Sequence, residues 1–226
     1  MNKLLGLDLD GTLLDSRLRH VIALQHAAKA LAVPLSEAQV QTYSLLKSNG
    51  SSGIEALQQL RISAAKEISQ RWVEIIESEE MLAADRLYSD TITALKRAQD
   101  QGYSFVLVTG RQNPEAARHQ IASLGLKDFF REIFVVNLQN RLQSKATVTR
   151  GYNLSAIVGD TEVDSKWAFD LGVEFYASSF GFRSKNFWDN RQVISYASLS
   201  AAFDAIVSAV GGALPDHRDG SAAVRE

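Results

Sequence analysis

Cysteine is absent from all 226 positions. That excludes disulfides, thiolate zinc sites and a cysteine nucleophile, and it fits a reducing compartment. Proline is scarce, with 3 residues, and no apolar run approaches the roughly 20 residues that cross a bilayer. Near the start, Asp8 and Asp10 interrupt the apolar stretch before it reaches the about 7–15 residues of a secretory core, so a cytoplasmic location is expected. Neither sign of charge dominates: 24 Lys and Arg stand against 26 Asp and Glu, a net charge of −2. Nonspecific nucleic-acid binding needs a basic surface that displaces counterions, and this balance argues against it. With 46% hydrophobic and 22% charged residues, the chain has the composition of a folded protein. Its length suits one medium core with an insertion, or two small domains.

Lys3 to Leu9 is a short apolar run ending in acid and then Gly11, the pattern of a buried strand entering a turn. From Arg17 to about Asp85 the spacing turns helical. Val21, Leu24, Ala27, Ala28 and Leu31 recur at helical intervals before Pro34. Val40, Tyr43, Leu45 and Leu46 mark a second helix, and Ile54, Leu57 and Leu60 a third. Ile68, Trp72, Val73, Ile75 and Ile76 mark a fourth, with Glu74, Glu77, Glu79 and Glu80 as its wet side. Beyond this block, strand and helix alternate. Helices are expected over Ser89–Gln101, Pro114–Leu124, Glu162–Leu171 and Leu199–Val210. Strands are expected over Tyr103–Val108, Glu132–Asn137, Ser155–Val158 and Val173–Ala177. Such alternation implies an α/β fold, a doubly wound parallel sheet with crossover helices. The expected organisation is a core domain from residues 1–16 and 86–210, a helical cap domain over 17–85, and a flexible tail over 211–226. Hinges fall near Ser16–Arg19 and Ala84–Asp90.

In an open parallel sheet, ligands bind outside the carboxyl ends of the strands. Asp8, Asp10, Gly11 and Thr12 follow the first strand, and Thr109, Gly110 and Arg111 the second. Asp160, Thr161 and Asp164 follow the fourth, and Lys145 opens the segment before it. Carboxylates gathered at one edge repel, by about 4 kcal/mol for two unit charges 4 Å apart at an effective dielectric near 20. A divalent cation relieves that repulsion, and an all-oxygen site beside a phosphate suits Mg²⁺. His20, His26, His119 and His217 are dispersed, with no metal-like spacing, and read as structural; Trp72, Trp167 and Trp188 read as packing residues.

These residues resemble the motif set of the haloacid dehalogenase superfamily. Its first motif, a hydrophobic strand and Asp-x-Asp-Gly-Thr, stands here as Leu7-Asp8-Leu9-Asp10-Gly11-Thr12. The second matches Phe105-Val106-Leu107-Val108-Thr109-Gly110, the third Lys145, and the fourth Gly159-Asp160-Thr161-Glu162-Val163-Asp164. The resemblance covers about residues 3–180, and the helical block lies where the phosphoglycolate phosphatase-like branch carries its cap. It implies that Asp8 is the nucleophile, forming an aspartyl-phosphate. Asp10 would be general acid for the leaving oxygen, then base for the water. The acid role requires an Asp10 protonated near neutral pH, hence a raised pKa. Mg²⁺ would be held by Asp8, the main-chain carbonyl of Asp10 and Asp160, with Asp164 as ligand or support. Thr109 and Lys145 would hold the phosphoryl oxygens, with Gly11, Thr12 and Gly110 around the phosphate. Lys127 and Arg141 are the substitutes for Lys145.

A lid over the sheet edge controls water and recognises the leaving group. Within the helical block, Lys47-Ser48-Asn49-Gly50-Ser51-Ser52-Gly53 has the glycines, cation and hydroxyls of an anion-binding turn at a helix start. Lys47, Ser48 and Asn49 are therefore candidate substrate contacts, Lys47 reading a carboxylate or second anionic group. Phe180-Gly181-Phe182-Arg183 is placed on the pocket rim. The expected function is Mg²⁺-dependent hydrolysis of a small phosphorylated metabolite by a monomer or homodimer, without nucleic acid or membrane. A sugar-phosphate mutase or phosphonate hydrolase would use the same core. A non-catalytic metabolite-binding protein on this scaffold is the alternative of another class. Asp10 speaks against dehalogenation, because the family's dehalogenases lack the second Asp.

Overall fold

The computed structural model describes residues 3–137 and 144–211. The first apolar run forms β1 (Leu4–Leu7), buried at every position. The chain then turns into β2 (Leu14–Asp15) and runs through α1 (Arg17–Ala30), α2 (Glu37–Ser48), α3 (Gly53–Gln59), α4 (Ala65–Ile75) and the short α5 (Glu79–Leu82). It returns as β3 (Arg86–Leu87), antiparallel to β2, so two linkers joined as a ribbon carry the helical block. There follow α6 (Thr91–Asp100), β4 (Ser104–Gly110), α7 (Pro114–Ser123), β5 (Phe130–Val136), α8 (Lys145–Thr149) and β6 (Ala156–Gly159). The chain ends, within the described residues, with α9 (Glu162–Leu171), β7 (Glu174–Ser178), α10 (Lys185–Asp189), β8 (Ser195–Tyr196) and α11 (Leu199–Gly211).

Six strands form one parallel sheet in the order β5-β4-β1-β6-β7-β8. The chain builds outward from β1 on one side, then crosses back to build on the other. β1 therefore sits at the switch point, where an open α/β sheet leaves a crevice at its carboxyl edge. Alternation along β4 shows why both faces are covered. Phe105 and Leu107 pack with Leu95 of α6 and Phe203 of α11, while Val106 and Val108 pack with Ile157 and with Trp167 of α9. Helices α1–α4 have their own apolar interior, including Leu24, Tyr43, Leu57 and Ile68. Ser36 and Ser52 cap α2 and α3, each reciprocated by the side chain three residues on.

The expected α/β sheet and helical block are both present, with boundaries shifted by one or two residues. The additions are short: the β2–β3 ribbon, α5, α8, α10 and β8 are too brief to show a hydrophobic period. One expectation fails at the end of the fourth helix. Glu77 is not on a wet face but accepts the backbone N–H groups of Gln112 (2.9 Å) and Asn113 (2.8 Å) across the cleft. Residues 212–226 of the expected tail, His217 and Arg141 lie outside the described residues. Among the described residues no helix is long and apolar enough to cross a membrane.

Candidate active site

Strand pairing continues to the first candidate residue: the Asp8 N–H donates to the Val158 carbonyl at 3.1 Å. This fixes Asp8 at the carboxyl end of the central strand. Lys145 opens α8, whose start is capped by Ser144. Its buried ammonium donates to Asp8 Oδ1 and, at 2.6 Å, to Asp164 Oδ1. Thr149 steadies that turn by donating to the Lys145 carbonyl (2.6 Å) and accepting from Trp167 Nε1 (2.8 Å). Asp164 is committed on both oxygens, because its Oδ2 accepts the N–H (3.1 Å) and hydroxyl (2.8 Å) of Thr161. Lys127, by contrast, is exposed.

Carboxylate oxygens of Asp8, Asp160 and Asp164 lie within 4.8 Å of one another. Three acids therefore share one ammonium, and the site lacks positive charge. Burial, opposed by Lys145 and reinforced by Asp164, pushes Asp8 up to about 7. Burial and repulsion from Asp8 and Asp164 push Asp160 well above the carboxylate range. Burial works against the charged Lys145, but Asp164 and Asp8 outweigh it and raise its pKa.

Asp160 keeps a donor atom that could take a cation. Its Oδ1 is buried without a partner, while Oδ2 accepts the Phe182 N–H at 2.5 Å. Gly11 and Gly181 press against it: a Cβ on either would come within 2.0 or 2.3 Å of Asp160 Oδ2. A close, all-oxygen donor set short of positive charge fits Mg²⁺. Gly11 also has φ +82°, a conformation that costs a non-glycine residue roughly 1–2 kcal/mol. Gly11→Ala should lower thermal stability by at least about that amount, and by displacing Asp160 it should shrink the rise in Tm on adding Mg²⁺. An unchanged Tm and Mg²⁺ response would show that this close approach is unimportant.

Asp10 overturns one expectation. Its side chain stands outside the acidic group and between two buried arginines. Arg111 donates from Nε (2.7 Å) and Nη2 (2.8 Å), and Arg19 of α1 from Nη2 (2.5 Å). Burial alone would raise the Asp10 pKa; Arg111 and then Arg19 outweigh it and hold the carboxyl far below its ordinary value. Asp10 is therefore a carboxylate here, not the protonated acid expected from its assigned role. Both guanidiniums also face buried Asp85, at 3.3 Å from Arg19 and 3.7 Å from Arg111. Gln120 joins in, donating to Asp85 (2.8 Å) and accepting from Arg111 (3.1 Å). Burial, against the pull of Arg19, pushes Asp85 up to about 6.

A cavity of about 340 Å³ opens over Asp8. Thr109, Gly110 and Lys145 line it from the sheet edge, and His20, Lys47 and Trp72 from the helices. The Thr109 hydroxyl is buried without a partner. His20 and Trp72 thus wall the cleft as well as packing, with the His20 ring 4.4 Å from Phe182 and 5.1 Å from Trp72. Gly11 and Thr12 lie off the cavity wall, Gly11 against Asp160 and Thr12 fully buried.

The 47–49 segment divides. Among the described residues the Lys47 ammonium has no hydrogen-bond or ion-pair partner, and burial, then Arg183, lowers its pKa. Ser48 donates to Leu45 O (2.9 Å) and does not line this cavity. Asn49 is also off its wall: it donates to Leu45 O (3.0 Å) and accepts from Ser184 (3.2 Å), joining α2 to the sheet side. Of the rim expected at Phe180–Arg183, Phe182 and Arg183 line this cavity, whereas Phe180 and Gly181 lie off its wall. Arg183 pairs with both oxygens of Glu162 (2.7 and 2.6 Å) and donates to the Lys47 carbonyl (2.5 Å).

Comparison with known proteins agrees with this arrangement. No curated protein matches the chain. A predicted phosphatase from Clostridium acetobutylicum is similar over 92% of this chain and 99% of its own, at 15% identity and a TM-score of 0.72. For a predicted phosphoglycolate phosphatase from Haemophilus somnus the coverage is 91% and 98%, at 17% identity and a TM-score of 0.67. For protein tyrosine kinase A from Mycobacterium tuberculosis it is 91% and 98%, at 22% identity and 0.70. At these identities the likeness is one of fold. The family model described as haloacid dehalogenase-like hydrolase matches residues 7–178, a span that includes Asp8, Thr109, Lys145, Asp160 and Asp164. The chain belongs to the haloacid dehalogenase-like hydrolase family.

Proposed function

We propose that this chain is a Mg²⁺-dependent phosphatase that hydrolyses a small phosphorylated metabolite through an aspartyl-phosphate on Asp8. The observation that carries the reading is the buried Lys145 bridge, which aims Asp8 at the cavity floor beside the unpartnered oxygen of Asp160. Asp8 attacks phosphorus, and the bond from phosphorus to the leaving oxygen breaks. Thr109, with its unused hydroxyl, and Lys145 donate to the phosphoryl oxygens as charge builds on them. Mg²⁺, held by Asp8, the Asp10 carbonyl and Asp160, would supply charge neutralisation and Lewis-acid polarisation, with Asp164 supporting Lys145 instead of ligating. Water then attacks the acyl-phosphate, releasing phosphate and restoring Asp8. As a carboxylate, Asp10 takes the proton of that water. The clamped carboxylate carries no proton for the leaving alkoxide, so before the first step Asp10 must come away from one arginine and take a proton from solvent. It gives that proton to the alkoxide, and the one it then gains from the attacking water serves the next turnover.

Phosphate release from a panel of phosphomonoesters, phosphoglycolate included, tests the proposal. Turnover should require Mg²⁺, vanish in EDTA and return when Mg²⁺ is restored. No ester turned over above an Asp8→Asn control would leave a metabolite-binding protein as the better reading. Interconversion of sugar phosphates without net phosphate release would indicate a mutase.

A further inference from the structure

A neighbouring space adjoins the cavity over Asp8. A second cavity of about 450 Å³ lies between α1, the end of α2 and the loop after β7. His20, Lys47, Phe182 and Arg183 line both, so the two spaces are neighbours on either side of these four side chains. The chemistry of its walls is specific. Val21, Tyr43 and Leu45 give it an apolar side. Ser44, Ser48, Ser179 and Ser184 give it a hydroxyl side. Each of these hydroxyls already donates its proton within the protein: Ser44 to Val40 O (3.0 Å), Ser48 to Leu45 O (2.9 Å), Ser179 to Tyr196 O (2.9 Å) and Ser184 to Asn49 Oδ1 (3.2 Å). What such a serine can still offer is a lone pair. Of the nearby cations, Arg17 is taken by Asp15 and Arg183 by Glu162, which leaves Lys47.

We propose that this second cavity holds the leaving group of the substrate, and that the substrate is the phosphate monoester of a polyhydroxylated alcohol. The inference rests on the phosphatase reading. With phosphate over Asp8, the body of the alcohol passes Lys47 and the His20–Phe182 pair. Its C–H faces meet Val21 and Leu45, its hydroxyls donate to the serine lone pairs, and one of its oxygens accepts from Lys47. A carboxylate deep in the cavity would face lone pairs, which repel it. A two-carbon acid would leave the space unused.

The test compares ribitol 5-phosphate with acetyl phosphate, whose acyl group is too short to enter. Ser44→Trp fills the cavity from an exposed position on α2, and Leu45→Trp, at a residue 61% exposed, is a second variant that leaves the core intact. In either, the ratio of kcat/KM for ribitol 5-phosphate to that for acetyl phosphate should fall about tenfold or more. An unchanged ratio, or a wild-type protein that hydrolyses acetyl phosphate but not ribitol 5-phosphate, overturns the proposal. If neither ester is hydrolysed, it is the phosphatase reading that fails, and calorimetric binding decides the cavity separately. Ribitol 5-phosphate bound about tenfold more weakly by Ser44→Trp supports the subsite, whereas equal or no binding rejects it.

Discussion

Asp8→Asn is expected to lower kcat by at least about 10⁴-fold on any ester the wild-type protein hydrolyses, or about 5 kcal/mol in activation free energy. An amide at this position cannot form the acyl-phosphate, and among the described residues no other carboxylate combines its features. Asp8 lies on the cavity floor and is bridged by Lys145. Asp160 is pinned by the Phe182 N–H and Gly11, Asp164 is committed on both oxygens, and Asp10 is clamped by arginines. Folding should respond in the opposite sense. Burial first, and then repulsion from Asp164, drive the Asp8 pKa up against the pull of Lys145, so losing its charge removes a net cost. In EDTA the variant's Tm should equal or exceed that of the wild type. Opposite signs in the two measurements separate a chemical role from a structural one. Residual turnover above about 1% of wild type, a loss far smaller than that assigned to a nucleophile, would put the attacking group elsewhere.

Which residues were legible in the sequence follows from how local their signal is. Asp8 and Asp160 each stand one step beyond an apolar strand, and Thr109 follows the apolar run of β4 near its carboxyl end, so period and position find them together. Lys145 has no such signal. It opens a five-residue helix too short for a period, and only the resemblance singled it out. The clamp on Asp10 was not legible at all. Arg19 and Arg111 reach it from 9 and 101 residues away, and Gln120 meets Asp85 over 35. Those distances close only once the ribbon and β4 are in place, so the raised pKa expected of Asp10 was an inference made without its neighbours. The glycine- and serine-rich turn was only partly legible, for the converse reason. Its polar atoms suit an anion as free groups, but Ser52 is used in capping α3 and Asn49 in joining α2 to Ser184. Lys47 keeps its ammonium to spare, and Ser48 a lone pair.

Lys145→Met should have the largest effect on folding. The side chain is nearly isosteric, but its loss leaves Asp8, Asp160 and Asp164 without the ammonium that contacts two of them. Removing one partner of a buried ion pair costs about 3–5 kcal/mol. For a chain of 226 residues, even the lower figure is a fall in Tm of roughly 6–12 °C in EDTA. Mg²⁺ should recover much of that, because a cation among the carboxylates replaces the missing charge and stabilises the state that binds it. The Mg²⁺-induced rise in Tm should thus be larger in the variant than in the wild type. Catalysis should not recover with it: without a donor to the phosphoryl group, kcat at saturating Mg²⁺ should stay about 10²–10³-fold low. Near-normal kcat in the Mg²⁺-restored variant would reduce Lys145 to a counter-charge. Equal Mg²⁺ shifts in the two proteins would mean that the cation does not sit among these three acids, and the assignment of Asp8 and Asp160 as its ligands would fall with it.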